Sequence, residues 1–141
     1  MSKTVIVVDT SVVIKWLSSD NEKYLDQAND ILKDVQGEKI EVYAPELVKY
    51  EVGNVLLFGK HLSLTQAKIV LTEFFNLPIT FIAESVQTAK DTFSLASKSG
   101  ITYYDAAFLA LAKQHDATLV TENVKHQGKT TEVKIIPLKD Y

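Results

Sequence analysis

The chain has 141 residues, of which 46% are hydrophobic and 23% charged, and its formal net charge is −3. It contains no cysteine, which excludes disulfides and thiolate metal sites. No apolar run approaches the ~18 residues of a membrane helix, and the amino terminus lacks a signal-peptide pattern. These features predict one cytoplasmic domain, residues 1–141, that is long enough to bury a substantial core.

All 15 basic residues are lysines. The planar guanidinium group that binds phosphates in a bidentate manner is therefore missing. The negative net charge also provides no general attraction for nucleic acid. Any polyanionic substrate is expected to be held by lysines, backbone amides and a metal ion.

The first half of the chain alternates strand-like and helix-like segments. A β-branched run over residues 3–8 predicts a strand that is buried on both faces, and residues 12–17 form a short helical stretch. Apolar residues recur at three- and four-residue spacing over residues 24–35, which predicts an amphipathic helix. A short strand at residues 41–44 precedes a helix over about residues 45–58, with proline in its first turn.

The second half continues the same alternation. Ser63 and Thr102 are suited to cap helices, and Gly100 is suited to end one. The predicted elements are, in order, a helix over residues 63–75, a strand over 78–83, helices over 85–98 and 102–115, and strands over 118–121 and 133–137. Such alternation is typical of a parallel sheet with helices on both faces. Ligands of these sheets bind beyond the carboxyl ends of the strands, where Asp9 and Glu122 lie.

Asp9 and Glu51 are the first two candidate site residues. Asp9 directly follows the first strand, although it or Ser11 could instead cap the short helix that comes next. Glu51 shares a helix face with the apolar residues Leu47 and Val55. A glutamate in that position faces a cleft or forms a buried ion pair with a lysine.

Asp105 and Glu122 complete the candidate set. Asp105 lies three residues after Thr102, the spacing of a capping box, yet it shares a face with the apolar Phe108. Glu122 follows the fourth predicted strand, where a solvated loop is the alternative. Burying several carboxylates together is costly unless a cation compensates them, and Mg²⁺ or Mn²⁺ is the natural partner of an all-oxygen site. The pattern therefore predicts a metal-dependent hydrolase, with phosphodiesters as substrates.

Other polar residues are given smaller roles. Lys15 and Lys49 are possible phosphate contacts, with a surface position as the alternative for each. Glu46, beside Pro45, favours the dipole at a helix amino terminus and is left out of the site. The histidines lack the spacing of metal ligands.

Four segments, taken together, resemble the PIN domain family and, within it, the VapC-type toxin ribonucleases of type II toxin–antitoxin systems. The segments are VIVVDTSVVIKWL (residues 5–17), APELVKYEVGNVLL (44–57), ITYYDAAFLALAKQHDATLVT (101–121) and the closing residues 133–138. This resemblance implies a three-layer α/β/α sandwich whose parallel strands have the order 3-2-1-4-5. It also implies that Asp9, Glu51 and Asp105 are the acidic metal ligands.

The resemblance assigns roles to three further residues. Ser11 and Thr121 match positions that orient ligands or bound water. Glu122 takes the place of the family's fourth acid, which is normally aspartate, and the extra methylene changes the reach of the carboxylate. With this longer reach, Glu122 would either bind a second ion through water or turn away from the site altogether.

The activity implied by the resemblance is Mg²⁺-dependent endonucleolytic cleavage of RNA, with Mn²⁺ able to substitute. The implied partners are an antitoxin protein and a second copy of the chain in a homodimer. Two alternatives remain: an aspartyl-phosphate phosphatase or receiver-like domain with Asp9 as nucleophile, and a catalytically weak or inactive PIN-like module that binds RNA or protein. A phosphatase of the first kind requires a second aspartate two residues after the nucleophile, and this chain has Ser11 at that position.

Overall fold

A computed structural model describes residues 3–141. In this part of the chain, five strands pair in parallel to form one sheet with the order β3-β2-β1-β4-β5. The strands are β1 (Thr4–Val8), β2 (Ile40–Pro45), β3 (Ile79–Ile82), β4 (Thr118–Thr121) and β5 (Ile135–Pro137). The predicted strand order is therefore confirmed.

Seven α-helices connect the strands within the described residues. They are α1 (Thr10–Leu17), α2 (Leu25–Gln36), α3 (Leu47–Asn54), α4 (Leu64–Phe75), α5 (Val86–Ser99), α6 (Tyr103–Gln114) and α7 (Val124–Gln127). Helix α3 continues as a π-helical turn over Val55–Gly59, and a 3-10 turn over Leu138–Asp140 follows β5. None of the helices in residues 3–141 has both the length and the apolar character needed to cross a bilayer.

The connections place the helices in two layers. Parallel strands are joined by right-handed crossovers, so the direction of each step along the sheet determines which face its helices cover. The steps from β1 to β2 and from β2 to β3 run one way and put α1–α4 on one face. The steps from β3 to β4 and from β4 to β5 run the other way and put α5–α7 on the opposite face. The predicted three-layer α/β/α sandwich is confirmed, and its strand order reverses between β1 and β4.

The register of β1 and β4 determines what meets at their carboxyl ends. Val7 pairs with Leu119 and Val8 with Val120, and all four side chains are fully buried. Asp9 directly follows β1, and Thr121 is the last residue of β4. Apolar packing of the two central strands thus holds an acid and a hydroxyl side by side, although 112 residues separate them in sequence.

The predicted helix ends agree with the structure at three places. The side chain of Ser63 accepts a hydrogen bond from the backbone of Gln66, and Thr102 caps α6 by accepting from the N–H of Asp105 at 3.0 Å. Gly100 ends α5 with φ +65°, a left-handed conformation that glycine adopts without strain.

Two sequence predictions were wrong in detail. Pro45 was placed in the first turn of a helix, but it is the last residue of β2 and pairs in register with Ile82. The N–H of Glu46 also donates to the Ile82 carbonyl at 3.3 Å, which continues the pairing with β3. Helix α3 therefore begins at Leu47. No regular element was predicted between residues 121 and 133, where the structure has the short helix α7.

Candidate active site

Asp9 is the buried centre of the candidate site. Its carboxylate accepts hydrogen bonds from Ser11 Oγ to Oδ1 and from Thr121 Oγ1 to Oδ2, both at 2.5 Å. Asp9 occupies the position before α1, but its side chain caps no backbone N–H of that helix. The alternative that Asp9 serves only as a helix cap is therefore contradicted. Its two oxygens are instead held by hydroxyl groups from two different elements.

Burial raises the pKa of the Asp9 carboxyl to about 6, from a usual 3.8. The hydrogen bonds from Ser11 and Thr121 and the nearby backbone N–H of Val12 oppose this rise, and the negative charge of Glu51 adds to it. Near neutral pH the group is ionised at an energetic cost, because a carboxylate in a low-dielectric pocket lacks its hydration. A bound cation would remove that cost.

Glu51 approaches the same pocket from α3. Its Oε1 accepts a hydrogen bond from Thr10 Oγ1 at 2.6 Å, and the residue is half-buried. Burial raises the pKa of Glu51, the hydrogen bond from Thr10 lowers it, and the charge of Asp105 raises it further. No ion pair with a lysine involves Glu51 among the described residues, so the alternative of a buried salt bridge is not what the structure contains.

Asp105 enters from the first turn of α6 and meets a residue that the sequence reasoning missed. Its Oδ1 accepts a hydrogen bond from Asn123 Nδ2 at 3.1 Å. The N–H of Asn123 in turn donates to Thr121 Oγ1 at 2.8 Å, and Thr121 holds Asp9. Asn123 therefore links two of the predicted acids. An amide side chain after a strand could have signalled this role, but no role was assigned to Asn123 from the sequence.

Glu122 is oriented differently from the other three acids. Its carboxylate forms an ion pair with Lys15, with Nζ and Oε1 2.5 Å apart. The backbone N–H of Glu122 donates to Ser11 Oγ at 3.3 Å. Its assignment as a metal ligand stays a prediction, with the carboxylate already paired to an ammonium. Lys15 itself, considered as a phosphate contact or a surface lysine, is neither, because its side chain is only 2% exposed.

An open pocket of about 440 Å³ has two of the four predicted acids in its wall, and Asp9 and Asp105 are not among its lining residues. Thr10, Ser11, Glu51 and Glu122 contribute to its wall. Within residues 3–141, the structure contains no group of three or more acidic or histidine side chains that could hold a metal ion. Mg²⁺ does not require one, since it usually keeps several waters and binds through one or two carboxylates. The all-oxygen donor set and the buried charge of Asp9 fit such a hydrated site.

The raised pKa of Asp9 gives a signed prediction for stability. A carboxyl whose folded pKa exceeds its unfolded pKa stabilises the fold most below pH 3.8, and that contribution is lost as the pH rises through about 6. We expect the metal-free wild type to gain about 1 kcal/mol of unfolding free energy, relative to Asp9→Asn, between pH 7 and pH 5. Urea denaturation at both pH values measures this difference. A constant difference between the two proteins would contradict the assigned pKa.

The fold and the pocket define an α/β protein with an acidic, hydroxyl-supported site at the switch point of a parallel sheet. Comparison with known proteins identifies the class further. The family model described as PIN domain matches residues 6–129. Ribonuclease VapC3 of Pyrobaculum aerophilum is 31% identical over 122 residues, which cover 82% of this chain and 87% of that protein. The chain belongs to the PIN domain family.

Solved structures share the fold. The crystal structure of VapBC2 from Rickettsia felis, bound to a promoter DNA fragment, superposes with a TM-score of 0.73 at 16% identity and covers 94% of this chain and 98% of its own. A toxin–antitoxin complex from Klebsiella pneumoniae gives a TM-score of 0.69 at 18% identity and covers 96% and 99%. The family resemblance and the fold predicted from the four sequence segments are confirmed.

Proposed function

We propose that this protein is a divalent-metal-dependent endoribonuclease of the VapC type and the toxin component of a toxin–antitoxin pair. The observation that carries the proposal is the buried Asp9 carboxylate, held by Ser11 and Thr121 and electrostatically coupled to Glu51. Similarity to a ribonuclease over most of the chain supports RNA as the substrate. The preferred ions are Mg²⁺ and Mn²⁺, because the donors are hard oxygens.

The acidic residues of the site would act as the cation ligands in this mechanism. Asp9, Glu51 and Asp105 would hold the cation, directly or through water. Bound there, the cation supplies Lewis-acid chemistry that activates water and neutralises charge on the scissile phosphate. Water would add to phosphorus in line with the departing 3′ oxygen and lose a proton. The P–O3′ bond would break and the 3′ oxygen would take up a proton, so that the products carry 5′-phosphate and 3′-hydroxyl ends.

The hydroxyl residues and Asn123 orient these acids. Ser11 and Thr121 donate to separate oxygens of Asp9, which fixes the plane of that carboxylate. Asn123 donates to Oδ1 of Asp105, and no side chain in residues 3–141 donates to its Oδ2. Rotation of either carboxylate would break these bonds, so the acids are preorganised for a cation.

We also propose two protein partners, an antitoxin and a second copy of the chain. An apolar groove of about 240 Å³ lies between α3, α5 and α6, and none of the four predicted site acids is in its wall. Its wall includes Leu47, Tyr50, Tyr103, Tyr104 and Leu111. Tyr50 and Tyr104 are 78% and 62% exposed, and large exposed apolar patches usually mark protein interfaces. The similar Klebsiella pneumoniae protein is part of a toxin–antitoxin complex.

The cytoplasmic location of this protein stays a prediction.

Cleavage of single-stranded RNA with and without metal tests the proposal. We expect the purified protein to cut synthetic RNA in the presence of Mg²⁺ or Mn²⁺ and to stop when EDTA removes the ion. Re-addition of Mn²⁺ should restore cutting, because the carboxylates remain in place. Denaturing electrophoresis and end-labelling identify the cut sites and the product ends.

Two results would contradict the proposal. Undiminished cleavage in EDTA would exclude a metal-dependent reaction. Absence of both cleavage and ion binding at millimolar Mn²⁺ would favour the alternative, a PIN-like module that binds RNA or protein without cutting.

A further inference from the structure

Lys15 is a buried cation beside the acidic pocket. It lies on α1, and its side chain is 2% exposed. Its Nζ atom is 2.5 Å from Glu122 Oε1 and 2.9 Å from Glu22 Oε1. Burial alone would lower the pKa of Lys15, but the hydrogen bonds to Glu122 and Glu22 outweigh it and raise the pKa. The ammonium group is therefore a fixed positive charge.

Glu22 has a second cation of its own. Its Oε2 accepts a hydrogen bond from Lys60 Nζ at 2.7 Å, while Oε1 faces Lys15. The two lysines and the two glutamates, Glu22 and Glu122, form a cluster with a formal charge of zero. Within the described residues, Lys15 is the cation that pairs with Glu122.

The cluster is joined to the proposed metal site by hydrogen bonds. The N–H of Glu122 donates to Ser11 Oγ, and Ser11 donates to Asp9. Glu22 and Glu122 also line the same pocket as Glu51. Lys15 thus stands behind one wall of the pocket and acts on it through Glu122.

We propose that Lys15 is a positioning residue that takes the place of a second divalent cation and leaves the pocket with one ion. This inference rests on the proposed function. To bind a metal, Glu122 would have to give up a short, charge-assisted hydrogen bond to a buried ammonium. A second cation near Glu122 would also be repelled by Lys15 at close range, where water screens poorly.

Counting bound ions tests the inference without relying on activity. We expect calorimetric titration with Mn²⁺ to give one ion per chain for the wild type and two for Lys15→Met. Methionine fills the space of the lysine stem, and Glu22 keeps Lys60, so Glu122 is the carboxylate that becomes free. The double variant Lys15→Met/Glu122→Gln, which removes the pair without leaving an unpaired charge, should return to one ion at wild-type affinity.

Lys49→Met is the matched control, because Lys49 pairs with Glu46 at 2.7 Å outside the pocket and its loss should leave one ion. Circular dichroism checks that each variant is folded.

Two ions in the wild type, or one in a folded Lys15→Met, would overturn the inference while the nuclease proposal stands. If Lys15→Met does not fold, the double variant Lys15→Met/Glu122→Gln is the test. A Mn²⁺ affinity at least tenfold below that of the wild type would show that Glu122 is a ligand and would overturn the inference. No ion binding in the wild type would defeat the proposed function itself.

Discussion

Replacing Asp9 with asparagine is expected to reduce Mg²⁺-dependent RNA cleavage by on the order of 10³-fold. Asparagine keeps the shape of the side chain but removes the charge that attracts the cation. Its amide can still bond to Ser11 and Thr121, since a hydroxyl can donate or accept. Single-turnover cleavage of a labelled RNA at saturating Mg²⁺ measures the loss.

The same variant should be more stable than the wild type when no metal is present. The raised pKa of Asp9 corresponds to about 3 kcal/mol of unfavourable free energy at pH 7, which the neutral side chain does not incur. Loss of activity together with a higher melting temperature would separate a role in the reaction from a role in folding. Cleavage at the wild-type rate would remove Asp9 from the mechanism.

Replacing Glu51 with glutamine is expected to lower cleavage by on the order of 10²-fold. The effect is smaller than at Asp9 because Glu51 is half-buried and water can occupy part of its place. Glutamine can still accept the hydrogen bond from Thr10, so the position of the side chain should change little. The cleavage rate and the Mn²⁺ affinity should fall together.

Glu46→Gln provides the matched control on the same segment. Glu46 pairs with Lys49 and contributes nothing to the wall of the acidic pocket. Its replacement should change the cleavage rate by less than about twofold, as expected for a partly exposed ion pair. Equal losses in the two variants would indicate a general charge effect and would contradict a specific role for Glu51.

The fold could be predicted because its signals are local and strong. The β-branched run before Asp9 and the apolar alternation along the chain specify buried strands and amphipathic helices. Family resemblance then supplied the strand order, which no periodicity contains. Pro45 was misplaced because proline suits both the first turn of a helix and the last position of a strand. The choice depended on β3, a partner far along the chain.

The site was predictable only as far as residue type and strand position specify it. Asp9 was found because an acid that directly follows a buried strand must lie at the carboxyl end of the sheet, where ligands bind. The pairing of Glu122 with Lys15 was not foreseen, since the two residues are distant in sequence and each is common on surfaces. Asn123 was missed for a similar reason. Its bond to Asp105 exists because α7 folds back against α6, which the local sequence does not reveal.

The pairing of β1 with β4 has a consequence during synthesis. Asp9 is synthesised 112 positions before Thr121, whose hydroxyl holds Oδ2 of Asp9, so this hydrogen bond cannot form until β4 has been made. A nascent or prematurely terminated chain that stops before β4 would lack one of the two strands that pair with β1. Its acidic residues would then not be held together in one site. Such fragments should be inert, so the nuclease site becomes competent only after β4 has been made and has paired with β1.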